Sequence, residues 1–490
     1  MQATIDQGWL ALTIALALLA LDIAIRVLAL VYVPRNRRPQ TALAWLVLIF
    51  FQPYIGILLF LLLGSFRLPK QRRQRQHQIN DYILDTTEGF DRVKREPPWP
   101  AWLEPIVELN RKLGSMPLVG GNEARLYADN QQALDAMTEA INASTKTVHA
   151  EFYILLLDDV TTPFFDALEA AHRRGVKVRV LLDHLGNFRY PGFKRTKRRL
   201  NAMGVEWHLM LPFLPFRGRI RRPDLRNHRK LLVVDGEVAF TGSQNVVETG
   251  YQTKANHKRG LHWKDFMARF EGPVVAGIDA LFVTDWYSET DELLEREAAP
   301  ARATGHGELD CQVVPSGPGF DGENNLRMFN SLMYAAQERI ILVSPYFVPD
   351  DSMLYAITTA AQSGIHVELF VSEIGDQFFV YHAQRSYYET LLKAGVIIYL
   401  YRAPTILHAK HMTIDDEIAV IGSSNLDMRS FSLDLEISVM VRGESFLREL
   451  RGIEDAYRRE CRQLTLEEWQ RRGRFTATLD NVARLTAAVQ

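Results

Sequence analysis

Two cysteines in 490 residues, Cys311 and Cys461, cannot build the disulfide framework of a small secreted fold, and neither belongs to a C-x-x-C pair. They read as reduced thiols facing the cytosol. Net charge is nearly absent too: 57 Lys and Arg against 58 Asp and Glu leave a formal −1, so attraction to an anionic partner has to come from local clusters. No Asp/Glu/His grouping has the spacing of a metal site, and neither metal nor cofactor is expected. What is plentiful is apolar residue, at 47%, in a chain too long for one ordinary domain. An ordered, multidomain protein follows.

Long apolar runs are confined to the first 66 residues. Trp9 to Val33 and Thr41 to Leu63 each reach the ~20 residues that cross a bilayer as helix. They read as a two-segment transmembrane anchor. A cleaved signal peptide would need a basic leader before the first run, and a second run follows at once. Asp22 and Arg26, one helical turn apart, are expected to pair. Arg35, Arg37 and Arg38 lie between the runs, and Arg67, Lys70, Arg72, Arg73 and Arg75 follow the second. Two full crossings cannot keep both flanks cytoplasmic. The larger cluster puts the rest of the chain in the cytoplasm, and the Pro53-containing second run is then re-entrant or shallow.

Beyond a polar linker at 67–105 the chain repeats itself. Val148 to Leu155 (VHAEFYIL), a helical stretch ending at Gly175 and the run Val176 to Leu182 match Ile340 to Val348 (IILVSPYFV), a helix ending at Gly364 and Ile365 to Val371. Each series continues through a Gly-led strand, H-x-K-x4-D, and Gly-Ser-x-Asn. The first copy is His228/Lys230/Asp235 with Gly242-Ser243-Gln244-Asn245; the second is His408/Lys410/Asp415 with Gly422-Ser423-Ser424-Asn425. Alternating strands and helices imply an α/β fold, and the repeat divides it into two halves, 106–298 and 299–490.

The symmetry breaks once. From Gly204 to His228 is 24 positions, but from Gly395 to His408 only 13, so the first half carries an insert at Leu211 to Arg222 (LPFLPFRGRIRR). Its Arg217, Arg219, Arg221 and Arg222 beside Phe and Leu suit a loop resting on anionic lipid. A solvated loop with a buried aromatic plug is the alternative.

A lone His-x-Lys means little; two copies with identical spacing are specific. On a strand, residues i and i+2 share a face, so each motif offers an imidazole beside an ammonium. Two such motifs around one pocket suit a phosphodiester. One histidine attacks phosphorus while the other protonates the leaving alkoxide, and the lysines, with Asn245 and Asn425, hold the nonbridging oxygens. Each imidazole needs an acceptor on its other nitrogen. Asp265 and Glu436 each lie seven residues before a glycine on equivalent strands, which assigns Asp265 to His228 and Glu436 to His408. Asp235 and Asp415 complete the motifs, and their place beyond the His/Lys pair suits bracing of a turn.

With Asn227-His228-Arg229-Lys230 before the first motif and Ser423-x-Asn425-x-Asp427-x-Arg429-Ser430 after the second, the chain resembles the phospholipase D superfamily. Trp263-Lys264-Asp265, Asp285-Trp286, Ser316-Gly317-Pro318, Ser344 to Asp350 (SPYFVPD) and Ala42-Leu43-Ala44-Trp45 narrow the resemblance to bacterial cardiolipin synthases of the two-motif type, over nearly the whole chain. Lys264, where relatives carry Arg, keeps the charge; Gly242-Ser243, where some carry Gly-Gly, loosens the subfamily.

The resemblance implies two similar α/β halves sharing one active site, in which two phosphatidylglycerol molecules give cardiolipin and glycerol through a phosphatidyl-histidine, with His228 as nucleophile and His408 as acid and then base. It implies residence in the bacterial inner membrane. Symmetry alone does not assign the two histidines. Phospholipase D hydrolysis or head-group exchange would use the same residues. A nuclease is disfavoured by the lack of stacking aromatics, and no nucleic-acid partner is expected. The apolar spans offer a surface for a homodimer.

Overall fold

Pro53 decides the shape of the N-terminal region. It lacks the N–H that would continue a helix and its ring crowds the preceding turn, so it opens a new helix instead. In the computed structural model, which describes residues 2–35, 37, 39–64, 70–86, 99–213, 222–294, 307–320 and 322–486, the apolar segments form helices Gln2–Tyr32, Pro39–Phe51 and Pro53–Leu63. The expected second span is therefore two helices of 13 and 11 residues, each too short to cross a bilayer alone. Trp9–Tyr32 is long and apolar enough to cross by itself. Ala29, Val33, Ala42 and Ile49 bury one another where the three helices meet, and Arg26 pairs with Asp22 at 2.9 Å. Arg37 closes the hairpin by donating to the carbonyls of Val33 and Gly64, at 2.7 and 2.8 Å. This unit comprises residues 1–67 with 222–224.

The larger unit holds 68–221 and 225–490. Its runs of Val, Ile and Leu become strands buried on both faces, as a sheet covered by helices requires. In the first half the strand order is Leu118–Tyr127, Met267–Glu271, Val238–Gly242, Lys230–Val234, Thr147–Phe152, Lys177–Asp183, Glu206–Met210. The second half repeats that order from Leu309–Ser316 through Asp434–Arg442, Ile418–Gly422, His411–Ile414, Arg339–Val343 and His366–Ser372 to Ile397–Tyr401, then adds Cys461–Leu464. Leu118–Tyr127 and Leu309–Ser316 pair antiparallel, Val119 opposite Cys311, which fuses the halves into one 16-stranded sheet. Each half keeps its own apolar core. Both cysteines are buried and unpaired.

Part of the expected 67–105 linker is ordered. Residues Lys70–Thr86 form a helix whose Arg72 is buried and reaches Glu289 at 2.5 Å and Asp285 at 3.7 Å. Arg72, counted among the cytoplasmic marker charges, is thus spent on a packing contact with helix Val274–Thr290.

Candidate active site

Each motif sits where a short segment turns into a hairpin. Lys230–Val234 and Val238–Gly242 are joined through Asp235-Gly236-Glu237, with Asp235 and Gly236 at positive φ (54° and 69°) and the Glu237 N–H closing the turn on the Val234 carbonyl at 3.0 Å. The Asp235 carboxylate accepts from the backbone N–H of Thr145, Lys146 and Thr147 at 2.8 Å each. Asp415, at φ 50°, does the same for Gln337, Glu338 and Arg339. These aspartates tie the hairpin to the neighbouring strand, and neither lines the cavity.

His228 and His408 both line one cavity of about 1030 Å³, together with Asn245 and Asn425. Their lysines do not stand beside them in its wall. Lys230 and Lys410 lie beneath, with Nζ donating to the carbonyl of His228 at 2.6 Å and of His408 at 2.8 Å.

The carboxylate assignment from sequence is reversed. Nδ1 of His228 lies 2.9 Å from Glu436, and Nδ1 of His408 lies 2.6 Å from Asp265. Strand register explains the exchange. Arg226–Asn227 pairs parallel with Asp434 and Leu435, which sets His228 opposite Glu436; Thr405–Leu407 pairs parallel with His262–Lys264, which sets His408 opposite Asp265. The His228 N–H donates to Leu435 at 2.9 Å, and the His408 N–H to Lys264 at 2.8 Å. Each histidine is therefore oriented by the other half.

Two serines complete the carboxylate shells. Ser243 donates to Asp265 at 2.7 Å, and Ser423 donates to Glu436. They are the serines of Gly-Ser-x-Asn, and the repeat of that string was the signal for a role that spacing alone did not assign. The glycines before them allow the approach: a Cβ at Gly242 would meet the Phe266 carbonyl at 2.4 Å, and one at Gly422 the Ile437 carbonyl at 2.1 Å. Tyr153 packs edge-on to His228, ring centres 4.9 Å apart, and Tyr346 stands likewise 6.5 Å from His408.

Burial governs the charges. It pushes both histidines below their ordinary value, His228 furthest, with Lys230 and Lys410 adding to the effect. It lowers Lys230 to about 7 and Lys410 to about 8, against the pull of Glu436 and Asp265. The two carboxylates diverge. Burial lifts Glu436 to about 7, whereas at Asp265 the upward push of burial is outweighed by His408, Lys410 and Ser243, which hold it below the usual range.

The asparagines differ as well. Asn245 is committed to the fold, accepting from Ile154 N–H at 3.1 Å and donating to the Tyr251 hydroxyl at 2.9 Å. The side-chain oxygen of Asn425 has no hydrogen-bond partner among the described residues. Of the basic insert, Arg217, Arg219 and Arg221 lie outside the described residues, and Arg222 pairs with Asp224 at 2.5 Å. Among the described residues no group of three or more His, Cys, Asp or Glu side chains could hold a metal.

A family model described as "Cardiolipin synthase, PLD-like domain" matches this chain twice, over residues 137–271 and 330–455, one match per motif. The chain belongs to the cardiolipin synthase family of the phospholipase D superfamily. It is an enzyme of the phosphatidyltransferase class. A second model, "Phospholipase_D-nuclease N-terminal", matches residues 24–65. Cardiolipin synthase A of Proteus mirabilis is 32% identical over 461 residues, 91% of this chain and 92% of that one. Cardiolipin synthase A of Yersinia pseudotuberculosis is 33% identical over 456 residues, 89% of this chain and 90% of that one. The crystal structure of phosphatidylserine synthase from Haemophilus influenzae covers 80% of this chain and all of that one, with TM-score 0.60 at 13% identity, a likeness of fold.

Proposed function

We propose that this cardiolipin synthase family member joins two phosphatidylglycerol molecules, giving cardiolipin and glycerol through a phosphatidyl-histidine intermediate. The observation that carries the reading is the pair of buried imidazoles facing one cavity, each with Nδ1 on a carboxylate and so with Nε2 left for substrate. Nε2 of one histidine attacks phosphorus, and the bond to the head-group glycerol breaks as the second histidine protonates that oxygen. The second histidine then takes the proton of an incoming glycerol hydroxyl. Its oxygen bonds phosphorus as the P–N bond breaks. Lys230 and Lys410 stabilise the charge on the nonbridging oxygens from behind, and Asn425 adds an amide donor.

The electrostatics favour His228 as nucleophile. It is held furthest toward the neutral form that a nucleophile needs. His408 rests on Asp265, whose ionised carboxylate stabilises an imidazolium and so suits the acid. The apolar N-terminal helices anchor the enzyme to the membrane that supplies its lipid, with the catalytic unit on the cytoplasmic side.

Purified enzyme incubated with phosphatidylglycerol alone tests the reaction. Cardiolipin with an equal amount of glycerol is expected. Phosphatidic acid as the main product would favour hydrolysis instead, and turnover only after addition of another lipid would overturn the one-substrate scheme.

A further inference from the structure

Gly175 and Gly364 precede equivalent strands, and counting on from them without a gap brings Arg189 into register with Phe378, and Tyr190 with Phe379. All four line the cavity. At these equivalent positions the first half therefore presents a cation and the second two apolar rings, Phe378 being 57% and Phe379 59% exposed.

Arg189 differs from the other arginines that line the cavity. Arg226 is bound to Asp183 at 3.1 Å and Arg429 to Asp434 at 3.3 Å. Arg189 has no carboxylate partner among the described residues. Its guanidinium stands 5.0 Å from the Tyr190 ring centre, and its charge acts on the hydroxyls of Tyr153, Tyr190 and Tyr346. Tyr153 and Tyr346 are the rings that flank His228 and His408, so this cation addresses the space in front of both imidazoles. Asp376, an acid that lines the same cavity, accepts from the Tyr346 hydroxyl at 2.9 Å.

A reaction between two anionic lipids needs two places for phosphate. The donor phosphorus occupies the histidines, with the lysines behind it. The acceptor attacks through a glycerol hydroxyl and brings its own phosphodiester, unreacted, into the same cavity. Left unpaired in a partly desolvated site, that second anion would be costly. A guanidinium offers it a two-pronged, permanently charged partner.

We propose that Arg189 anchors a second phosphate subsite, which selects an acceptor alcohol that itself carries a phosphodiester and aims its free hydroxyl at the phosphatidyl-enzyme. Attack forms the new P–O bond and breaks the P–N bond, and the proton passes to the second histidine, as in the reaction proposed above, on which this subsite rests. Phe378 and Phe379 line the same cavity and would accommodate the glyceride portion of a lipid.

Acceptor competition tests the subsite. Wild-type enzyme, Arg189→Gln and Arg189→Lys are given phosphatidylglycerol dispersed in detergent, with and without excess ethanol, an acceptor bearing no phosphate. Arg189→Gln is expected to lower cardiolipin formation about ten- to hundredfold, the range for loss of a charge-assisted hydrogen bond. Phosphatidylethanol formation, which shows that the variant is folded and forms the intermediate, should fall far less, and Arg189→Lys should restore part of the cardiolipin. Equal loss of both products, or no change in their ratio, overturns the subsite. Absence of cardiolipin from the wild type under the same conditions instead overturns the two-phosphatidylglycerol reaction itself.

Discussion

Nδ1 of His228 lies 2.9 Å from a carboxylate oxygen of Glu436, a residue 208 positions further along the chain and in the other half of the repeat. The reciprocal bond joins His408 to Asp265 at 2.6 Å. Each motif therefore takes its orienting carboxylate from the opposite half, and the two imidazoles face one cavity because they are held from across it.

Separating the two chemical steps should reveal the division of labour. After incubation with phosphatidylglycerol and acid quench, His408→Ala is expected to retain a lipid adduct detectable by mass spectrometry of the peptide bearing His228. His228→Ala should carry none, and both should lose nearly all turnover. An adduct on His408 in the His228→Ala protein would reverse the assignment.

The crossed carboxylates make a distinct prediction. Glu436→Gln should chiefly impair formation of the adduct at His228, whereas Asp265→Asn should slow resolution of the adduct as well as its formation, each lowering kcat about a hundredfold or more. Rapid-quench measurement of the two steps checks this. The opposite pattern would mean that each carboxylate serves the histidine of its own half.

Lysines with depressed pKa values set the alkaline side of the pH profile. Lys230, at about 7, and Lys410, at about 8, carry charge below those values and lose it above them, so kcat/KM should decline as pH rises through 7 to 8. The acid limb should fall below the ordinary histidine value of about 6.5, because His228 must be neutral to attack and is shifted well down. A pH series on the free enzyme measures both limbs. A profile flat from pH 7 to 9 would show that the lysine charge is not needed there.

Asp235 is predicted to matter for stability rather than chemistry. Asp235→Ala releases three backbone amides and the Thr145 hydroxyl, which should cost about 1–3 kcal/mol and lower Tm, while folded protein keeps most of its kcat. Against the upward push of burial, those amides hold its carboxyl below the usual range, so the stabilisation is present above that range and is lost as pH falls. Thermal melts at neutral and acidic pH, beside kinetics at low temperature, separate the two effects.

Sequence made the duplicated α/β fold and both motifs legible, because landmark order and spacing survive duplication and are counted directly. The carboxylates Asp265 and Glu436 were also found that way. Which histidine each serves was not, since a residue equivalent under the repeat can be supplied by either half and only register, Leu435 beside Asn227 and Lys264 beside Leu407, decides. Pro53 was visible as a break, yet its effect, two short helices in place of one span, depends on where the chain turns back. The serines of Gly-Ser-x-Asn were in view without a role, because a hydroxyl declares its acceptor only in three dimensions. Arg189 escaped notice for a different reason: it lies where the halves differ, and a search for what repeats passes over it.

The two short parallel strand pairs have a consequence for how the enzyme comes into being. Translation releases His228 long before Glu436, and until strand Asp434–Arg442 has emerged and inserted, that imidazole has no carboxylate to steady it. His408 is placed by the pairing of Thr405–Leu407 with His262–Lys264, which is translated before it. A chain that lacks strand Asp434–Arg442 therefore lacks one of the two carboxylate–imidazole pairs, and the ring of mutual support is complete only when the last strands are in place.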